Sequence, residues 1–229
     1  MSHPLDRPIW ASLTTRQSPL AKGDARAMRF DPDYAMFAAA ADDGDEAMAA
    51  LASLVAAHGD TALVEADPVR LPPGVTVASQ ALCWQMIAHD PTPAGEPAFE
   101  VVSLTEDDAP QMFALATLTR PGPYFARTHR LGDFVGVKQD GRLIAMAGER
   151  MKPDGFTEVS GVCTHPDARG RGYAGGLMRI VMARIAERGE TPFLHVYAHN
   201  TGAIGLYETL GFALRREVTM TVLTRLGPG

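Results

Sequence analysis

A glycine-rich loop between a strand-like run and a helix is the feature that most restricts the fold of this chain. The segment EVSGVCTHPDARGRGYAGG, residues 158–176, passes from an apolar strand pattern through a polar loop into a helix. The first amide N–H groups of a helix lack intrahelical acceptors and carry the positive end of the helix dipole, so they favour anions. The residues that would let a phosphate approach and would add positive charge are Arg169, Gly170, Arg171, Gly172 and Gly175.

Other phosphate-binding motifs fit this loop less well. The glycines also spell the G-x-G-x-x-G of dinucleotide-binding folds, which is a weak signal alone. In that fold the strand runs almost directly into the first glycine, whereas residues 165–169 intervene here, and His199 and Asn200 stand where an acid should hold the ribose. No Gly-Lys-Ser/Thr occurs, which excludes a Walker-type loop. A glycine turn beside solvated arginines stays open as a purely structural alternative.

Strand-like and helix-like segments alternate from residue 99 onward. Two apolar runs flank Asp140-Gly141, a dipeptide typical of a tight hairpin turn. Leu177, Val181 and Ile185 recur at spacing four and predict an amphipathic helix. The order of predicted elements is strand, helix, three strands, helix, strand, helix and strand. It predicts an α/β domain over residues 99–229 with a mixed, mostly antiparallel sheet flanked by helices.

Residues 1–98 form a second predicted unit, because prolines and a glycine crowd the chain just before residue 98. This half holds 6 Lys and Arg against 13 Asp and Glu, and the other half holds 15 against 14, so all of the net charge of −6 lies in the first half. Its patterns predict a smaller α/β subdomain, with a helix closed by Gly59 and strands on either side. A degenerate copy of the second half is one interpretation.

Composition excludes several function classes. Hydrophobic residues make up 46% of the chain and charged residues 21%, which is typical of a globular protein. The basic residues form no run, so nucleic-acid binding is not expected. Apolar runs are too short for a membrane helix and the first residues do not read as an export signal, so we expect a cytoplasmic protein. Two cysteines cannot build a zinc site made of cysteines, and we expect no metal.

Two motifs in order resemble a known family. Arg169, Gly172 and Ala174 match an Arg/Gln-x-x-Gly-x-Gly/Ala signature, and Asn200 is followed seven residues later by Tyr207 in a helix that ends in Leu-Gly-Phe. Residues 99–229 thereby resemble the GNAT superfamily of acyl-CoA-dependent N-acetyltransferases, most of all its glycine N-acyltransferase-like branch. Two motifs in the right order are more specific than one.

The resemblance implies a site for acetyl-CoA, used as a co-substrate. Amides of the loop would hold the pyrophosphate, and the preceding strand would pair with the two amides of pantetheine. Asn200 would also contact pantetheine, while capping of its own helix is the structural alternative. The residues implied in cofactor binding are Val162, Thr164, Arg169, Gly170, Arg171, Gly172, Tyr173, Ala174, Gly175 and Asn200.

The resemblance also implies direct attack of an amine on the thioester. The Val162 N–H would stabilise the developing negative charge, and Tyr207 would protonate the departing thiolate. Packing of the Tyr207 ring in the core is the alternative for that residue. Glu158 lies where some relatives carry a glutamate base; Glu149 and ordered water are alternatives, and an exposed strand glutamate is the structural one.

Two classes of function follow. The leading hypothesis is an N-acetyltransferase that acts on the amine of a small molecule or amino acid. The alternatives are an inactive coenzyme A-binding regulatory module and an enzyme that acetylates protein or peptide amines. The sequence carries no signal for the identity of the acceptor or for an oligomeric state.

Overall fold

The computed structural model of the protein describes residues 3–93, 95 and 97–227. Its helices are α1 (Pro8–Thr14), α2 (Asp45–His58), α3 (Ala109–Thr119), α4 (Tyr173–Glu187) and α5 (Thr201–Thr209). Its strands are β1 (Ala21–Gly23), β2 (Ala27–Phe30), β3 (Ala38–Ala40), β4 (Thr61–Glu65), β5 (Val75–Ile87), β6 (Val102–Leu104), β7 (Phe134–Gln139), β8 (Arg142–Glu149), β9 (Phe156–Thr164), β10 (Thr191–Tyr197) and β11 (Ala213–Arg225).

A large sheet of eight strands forms the centre of the protein, in the order β4, β11, β5, β10, β9, β8, β7, β6. Every neighbouring pair in it is antiparallel except β9 with β10. Strands β1 to β3 form a separate small antiparallel sheet. The predicted fold class, a mixed and mostly antiparallel sheet with helices around it, is confirmed.

Local sequence signals predicted the helices and strands after residue 99 close to where the structure has them. Asp140 and Gly141 both have positive φ, 50° and 75°, as a two-residue hairpin turn between β7 and β8 requires. The spacing-four residues of α4, Leu177, Val181 and Ile185, are at most 2% exposed and join the core on that face of the sheet. Burial of such a face, rather than helix propensity, supplies most of the stability of a helix.

The first half of the chain contributes two strands, β4 and β5, to the large sheet. The segment 75–87 forms the single strand β5, which lies between β10 and β11, and β4 covers the other edge of β11. Helix α1 was not predicted, since its short sequence PIWASLT has no clear period. The predicted division at residue 98 stays a prediction, and strands from both sides of it share one sheet.

Removal of residues 1–98 should abolish folding of the remainder. Among the described residues, strand β11 pairs only with β4 and β5, and β10 would lose its neighbour on one edge. Unpaired backbone groups of that extent cost more than a marginally stable domain can bear. Circular dichroism during heating should show a cooperative transition for the full chain and none for residues 99–229. A cooperative transition in the fragment would contradict this expectation.

Candidate functional site

The two parallel strands of the large sheet separate soon after they meet. Pairing between β9 and β10 covers only three residue pairs, from Phe156 with Thr191 to Glu158 with Phe193. Beyond Glu158 the β10-facing edge of β9 has no strand partner among the described residues. The gap between the diverging ends of β9 and β10 is called the cleft below.

A β-bulge in β9 lies where the strands part. The β8–β9 register shifts between the pairs Met146–Cys163 and Gly148–Ser160, and Gly161 there has φ +62°. A Cβ on Gly161 would lie 2.8 Å from the Phe134 ring, so both the backbone angle and the packing require glycine. Sequence reasoning missed Gly161, although a glycine inside a strand pattern is a signal for a bulge.

Backbone groups of β9 face the cleft. The His165 N–H donates to the Ile144 carbonyl on β8. Because backbone groups of neighbouring residues in a strand point to opposite edges, the N–H and C=O of Thr164 face the cleft. Val162, two residues earlier, lies at the bulge and lines the cavity of the cleft. The Thr164 hydroxyl oxygen Oγ1 is buried without a hydrogen-bond partner among the described residues, which is a place for a ligand atom or a water.

The glycine-rich loop offers a series of amides at the start of α4. Gly172 is the N-cap of that helix, and both Gly170 and Gly172 have φ +78° with open space where a Cβ would be. Among the described residues, none of the amides from Gly170 to Gly175 donates a hydrogen bond to a protein acceptor. A 15-residue helix preceded by free amides favours an anion of phosphate type.

The two arginines of the loop lie at the surface of the protein. Arg169 and Arg171 are exposed, and each has one long hydrogen bond, 3.5 Å, to a backbone carbonyl oxygen of the loop or of β9. Neither forms an ion pair within the described part of the chain. Their guanidinium groups are therefore available for an anion at the loop.

A cavity of about 110 Å³ occupies the cleft and brings four of the predicted residues together. Glu158, Val162, Asn200 and Tyr207 line it, and Gly161 lies among them. The loop residues from Arg169 to Gly175 do not line this cavity and lie beyond the end of β9. The arrangement separates a reacting end in the cavity from an anion-binding end at the loop.

Tyr207 on α5 combines packing with exposure to the cavity. Its ring packs edge-on against Phe212, with centroids 6.1 Å apart, and it lies against the core beneath α4. Burial raises the pKa of the Tyr207 phenol above its usual value of 10. The phenol therefore stays protonated at neutral pH, as a proton donor must.

Asn200 caps α5 and also lines the cavity. Its Oδ1 accepts a hydrogen bond from the Ala203 N–H at 3.3 Å, which is the usual role of asparagine at a helix start. Capping uses the oxygen and leaves the Nδ2 amide group without a partner among the described residues. Both predicted roles of Asn200, cap and ligand contact, are geometrically compatible.

Glu158 is buried in an ion pair, so the alternative of an exposed strand glutamate is wrong. Its two carboxylate oxygens accept from Arg150 Nε at 2.8 Å and Nη2 at 2.7 Å, and His195 Nδ1 lies 2.8 Å from Oε1. Burial alone would raise the pKa of Glu158, but the charge and hydrogen bonds of Arg150 and the bond from His195 outweigh it and lower the pKa to about 2. This environment disfavours Glu158 as a proton acceptor.

The other candidates for a base or a nucleophile are a carboxylate held in ion pairs and two buried thiols. Glu149 is buried, with Arg188 Nη2 2.6 Å from one carboxylate oxygen and Lys152 Nζ 2.7 Å from the other. Burial raises the pKa of the Cys163 thiol to about 11, and that of the cavity-lining Cys83 thiol also to about 11. Cys163 is thus a core thiol, and neither cysteine is an activated nucleophile.

The described residues form neither a candidate metal site nor a membrane-spanning helix. Within residues 3–93, 95 and 97–227, no three or more His, Cys, Asp or Glu side chains are grouped so as to hold a metal ion. None of the helices that these residues form has the length and apolar character needed to span a bilayer.

Comparisons with known proteins found a matching family model and solved structures that are similar to this chain. Residues 134–221 match the family model of FR47-like proteins, and a comparison with curated proteins found no match. A crystal structure of a candidate acetyltransferase from the GNAT family of Novosphingobium aromaticivorans DSM 12444 is 50% identical, with a TM-score of 0.91, over 98% of this chain and 99% of that chain.

More distant solved structures show the same fold. A GCN5-related N-acetyltransferase from Kribbella flavida is 21% identical, with a TM-score of 0.65, over 95% of this chain and 96% of that one. A GCN5-related N-acetyltransferase-like protein from Streptococcus suis 89/1591 is 15% identical, with a TM-score of 0.60, over 95% and 92% of the two chains. At these identities the likeness concerns the fold alone.

Replacing Glu158 should test the buried ion pair. Glu158→Gln leaves the Arg150 charge without its counterion, and we expect a loss of about 3–5 kcal/mol in the free energy of unfolding near neutral pH. Because the folded-state pKa of Glu158 is lowered to about 2, its contribution is complete above the ordinary value of 4.5 and is lost as the pH falls toward 2. Urea unfolding at several pH values measures both effects.

A matched control is available at the surface. Glu106 pairs with Arg130 at 2.7 Å, but both side chains are largely exposed. Glu106→Gln should change the free energy of unfolding far less than Glu158→Gln. Equal losses in the two variants, or a Glu158→Gln effect that does not shrink in acid, would contradict the assigned pair.

Proposed function

Because the chain belongs to the GNAT family, we propose that it is an acetyl-CoA-dependent N-acetyltransferase whose acceptor is the amine of a small molecule or amino acid. The observation that carries this proposal is the continuity of the cleft: unpaired β9 backbone, the orphaned Thr164 hydroxyl and the free amides of the glycine loop follow one another along the chain. These groups fit coenzyme A, which needs partners for a pyrophosphate at one end and for two pantetheine amides in the middle.

The cofactor-binding residues would divide that work. The amides of Gly170, Gly172, Tyr173, Ala174 and Gly175 would hold phosphate oxygens, together with that of Arg171. The guanidinium groups of Arg169 and Arg171, exposed and without ion pairs among the described residues, would add charge-assisted hydrogen bonds. Bound acetyl-CoA supplies the activated thioester; the protein supplies its orientation.

The backbone of β9 would orient the middle and the reacting end. The N–H and C=O of Thr164 face the cleft and would pair with a pantetheine amide, in the manner of an added strand. Val162, beside the bulge, would direct its N–H at the thioester oxygen and stabilise the negative charge that develops there. Asn200 Nδ2 would donate to pantetheine from across the cavity.

Two proton transfers complete the proposal. The amine attacks the thioester carbon, the C–S bond breaks, and Tyr207 gives its phenolic proton to the thiolate sulfur. The attacking nitrogen must also lose a proton, and both buried carboxylates, Glu149 and Glu158, are held by cations. We propose that this proton passes to water, and that Glu158 fixes Arg150 and His195 at the floor of the cleft. The role of Glu158 as the base stays the competing prediction.

Two finer assignments belong to the same proposal. We infer membership in the glycine N-acyltransferase-like branch, supported by the motif residues Arg169, Gly172, Asn200 and Tyr207 in their positions around the cleft. A reducing, cytoplasmic location is supported by Cys83 and Cys163, which are both buried free thiols.

Release of free thiol from acetyl-CoA, measured with a panel of small amines, amino acids and peptides, is the assay for the proposed function. Thiol release with peptides alone would favour a protein acetyltransferase, and binding of coenzyme A without turnover would favour an inactive module.

Gly172→Asp should weaken coenzyme A binding. The new carboxylate would lie beside the free amides where a phosphate should bind, and we expect at least a tenfold rise in Kd, about 1.4 kcal/mol. Gly172→Asn is the matched control, since asparagine is similar in size, tolerates a left-handed backbone and carries no charge. Calorimetry should give a smaller loss for the asparagine variant. Unchanged affinity in a folded Gly172→Asp protein would exclude this loop as the phosphate site.

Tyr207→Phe should slow the reaction while the protein stays folded. The ring and its contact with Phe212 remain, so stability and coenzyme A affinity should hold, and kcat should fall by about 10²-fold or more. Because burial raises the pKa of Tyr207, wild-type activity should not decline on its account below pH 10. Tyr197→Phe removes another phenol from the same cavity and should have little effect. Full activity of Tyr207→Phe would leave Tyr207 a packing residue.

A further inference from the structure

A buried glutamine from the first half of the chain reaches the floor of the cleft. Gln85 lies on β5, is fully buried, and has two partners that fix the orientation of its side-chain amide. Its Nε2 lies 2.7 Å from the Leu5 carbonyl oxygen, which only accepts, and its Oε1 lies 2.8 Å from Arg215 Nη1, which only donates. Gln85 Nε2 is therefore the donor and Oε1 the acceptor.

This orientation determines the state of a neighbouring histidine. Gln85 Nε2 lies 3.1 Å from His195 Nε2, so that ring nitrogen must offer a lone pair. The proton of the neutral imidazole then lies on Nδ1, which is 2.8 Å from Glu158 Oε1. A protonated imidazole would direct an N–H at the amide N–H of Gln85, two donors facing each other, so the arrangement selects the neutral ring.

The carboxylate of Glu158 favours a proton on Nδ1 in either state of the ring, so the choice of the neutral ring rests on the amide of Gln85. Glu158 is held as a carboxylate by Arg150, and it accepts the His195 proton. Arg215 lies on the far side of Gln85 and is paired with Asp6 at 2.7 Å. The side chains of His195 and Glu158 are 8% and 1% exposed, so the chain of hydrogen bonds is shielded from bulk water, and yet both residues line the cavity.

We propose that Gln85 and His195 are positioning residues for acetyl transfer, in that Gln85 holds His195 neutral with its proton on Nδ1 and His195 thereby holds Glu158 and Arg150 at the cleft. The catalytic part of this inference rests on the proposed function. The first half of the chain, through β5 and the Leu5 carbonyl, thus fixes a polar wall of the site that lies between β9 and β10. A chain of fully satisfied buried hydrogen bonds gives such a wall one geometry.

The protonation state of His195 can be measured without any substrate. Nitrogen-15 NMR of the folded full chain with labelled histidine, at pH 7, distinguishes Nδ1–H, Nε2–H and doubly protonated rings. The His195 signals are those that vanish in His195→Asn. We expect the Nδ1–H form. An Nε2–H or doubly protonated ring would overturn the proposal whether or not the protein acetylates anything.

Paired variants test the positioning role. The Nδ2 of asparagine reproduces the position of imidazole Nδ1, so His195→Asn should keep the bond to Glu158 and most of kcat, whereas His195→Leu should lower kcat by at least about tenfold. Gln85→Glu places an acceptor against His195 Nε2 and should convert the ring to the doubly protonated form, with a similar loss of kcat. Coenzyme A affinity should stay unchanged in all three, because none of these side chains touches the loop at α4.

The outcomes separate this inference from the proposed function. Thiol release in the wild type with an Nδ1–H ring, but equal kcat in His195→Asn and His195→Leu, would overturn the positioning role and leave the acetyltransferase proposal intact. Absence of turnover in the wild type would overturn the acetyltransferase proposal and with it the catalytic part of the inference. The histidine spectrum would still decide whether Gln85 sets the state of His195.

Discussion

The site depends on the parting of two parallel strands. A β-strand whose neighbour departs exposes backbone N–H and C=O groups that must find other partners, and a buried edge left unpaired costs free energy. In this protein β9 and β10 part after Glu158, and the bulge at Gly161 turns β9 away. The same separation opens the cavity, leaves the Thr164 backbone facing the cleft, and is followed along the chain by the loop that begins α4.

The parting is tolerated because both strands are held firmly elsewhere. Strand β9 keeps its pairing with β8, and β10 pairs on its other edge with β5 over residues 83–87. At the point of separation the buried side chains of Glu158 and Arg150 satisfy each other's charges. A buried ion pair contributes little net stability compared with an apolar contact of the same size. The value of this pair for the site is therefore the fixed geometry of its two side chains rather than its energy.

The two ends of the cleft differ in their electrostatics. At the loop, helix amides and two exposed arginines present positive charge to solvent, where an anion can arrive without displacing an existing ion pair. At the floor, Glu158 and Arg150 cancel each other and His195 is neutral by its hydrogen bonds, so the reacting end carries no net charge. This difference favours a ligand that is anionic at one end and neutral at the other, which is the shape of an acyl thioester of coenzyme A.

The sequence by itself determined the elements after residue 99 and the glycine-rich start of α4, because both depend on local signals. The Asp140-Gly141 turn, the spacing-four stripe of α4 and the glycines at its start act within a few residues. The secondary structure and strand pairing of the first half were harder to predict. Strand β5 pairs with β10 and β11, which lie far along the chain, and a local sequence pattern does not indicate such distant partners.

Only the tertiary structure decided the protonation states and hydrogen-bond partners of the ionisable residues in the cleft. Glu158 reads in sequence as a strand carboxylate that is free to take a proton, but Arg150 and His195, from two other segments, hold it ionised. Gln85, which carries no motif, sets the state of His195 from a strand 110 residues away. Proton affinity is a property of the charges and donors within a few ångströms, and those are assembled by strand pairing rather than by adjacency in the chain.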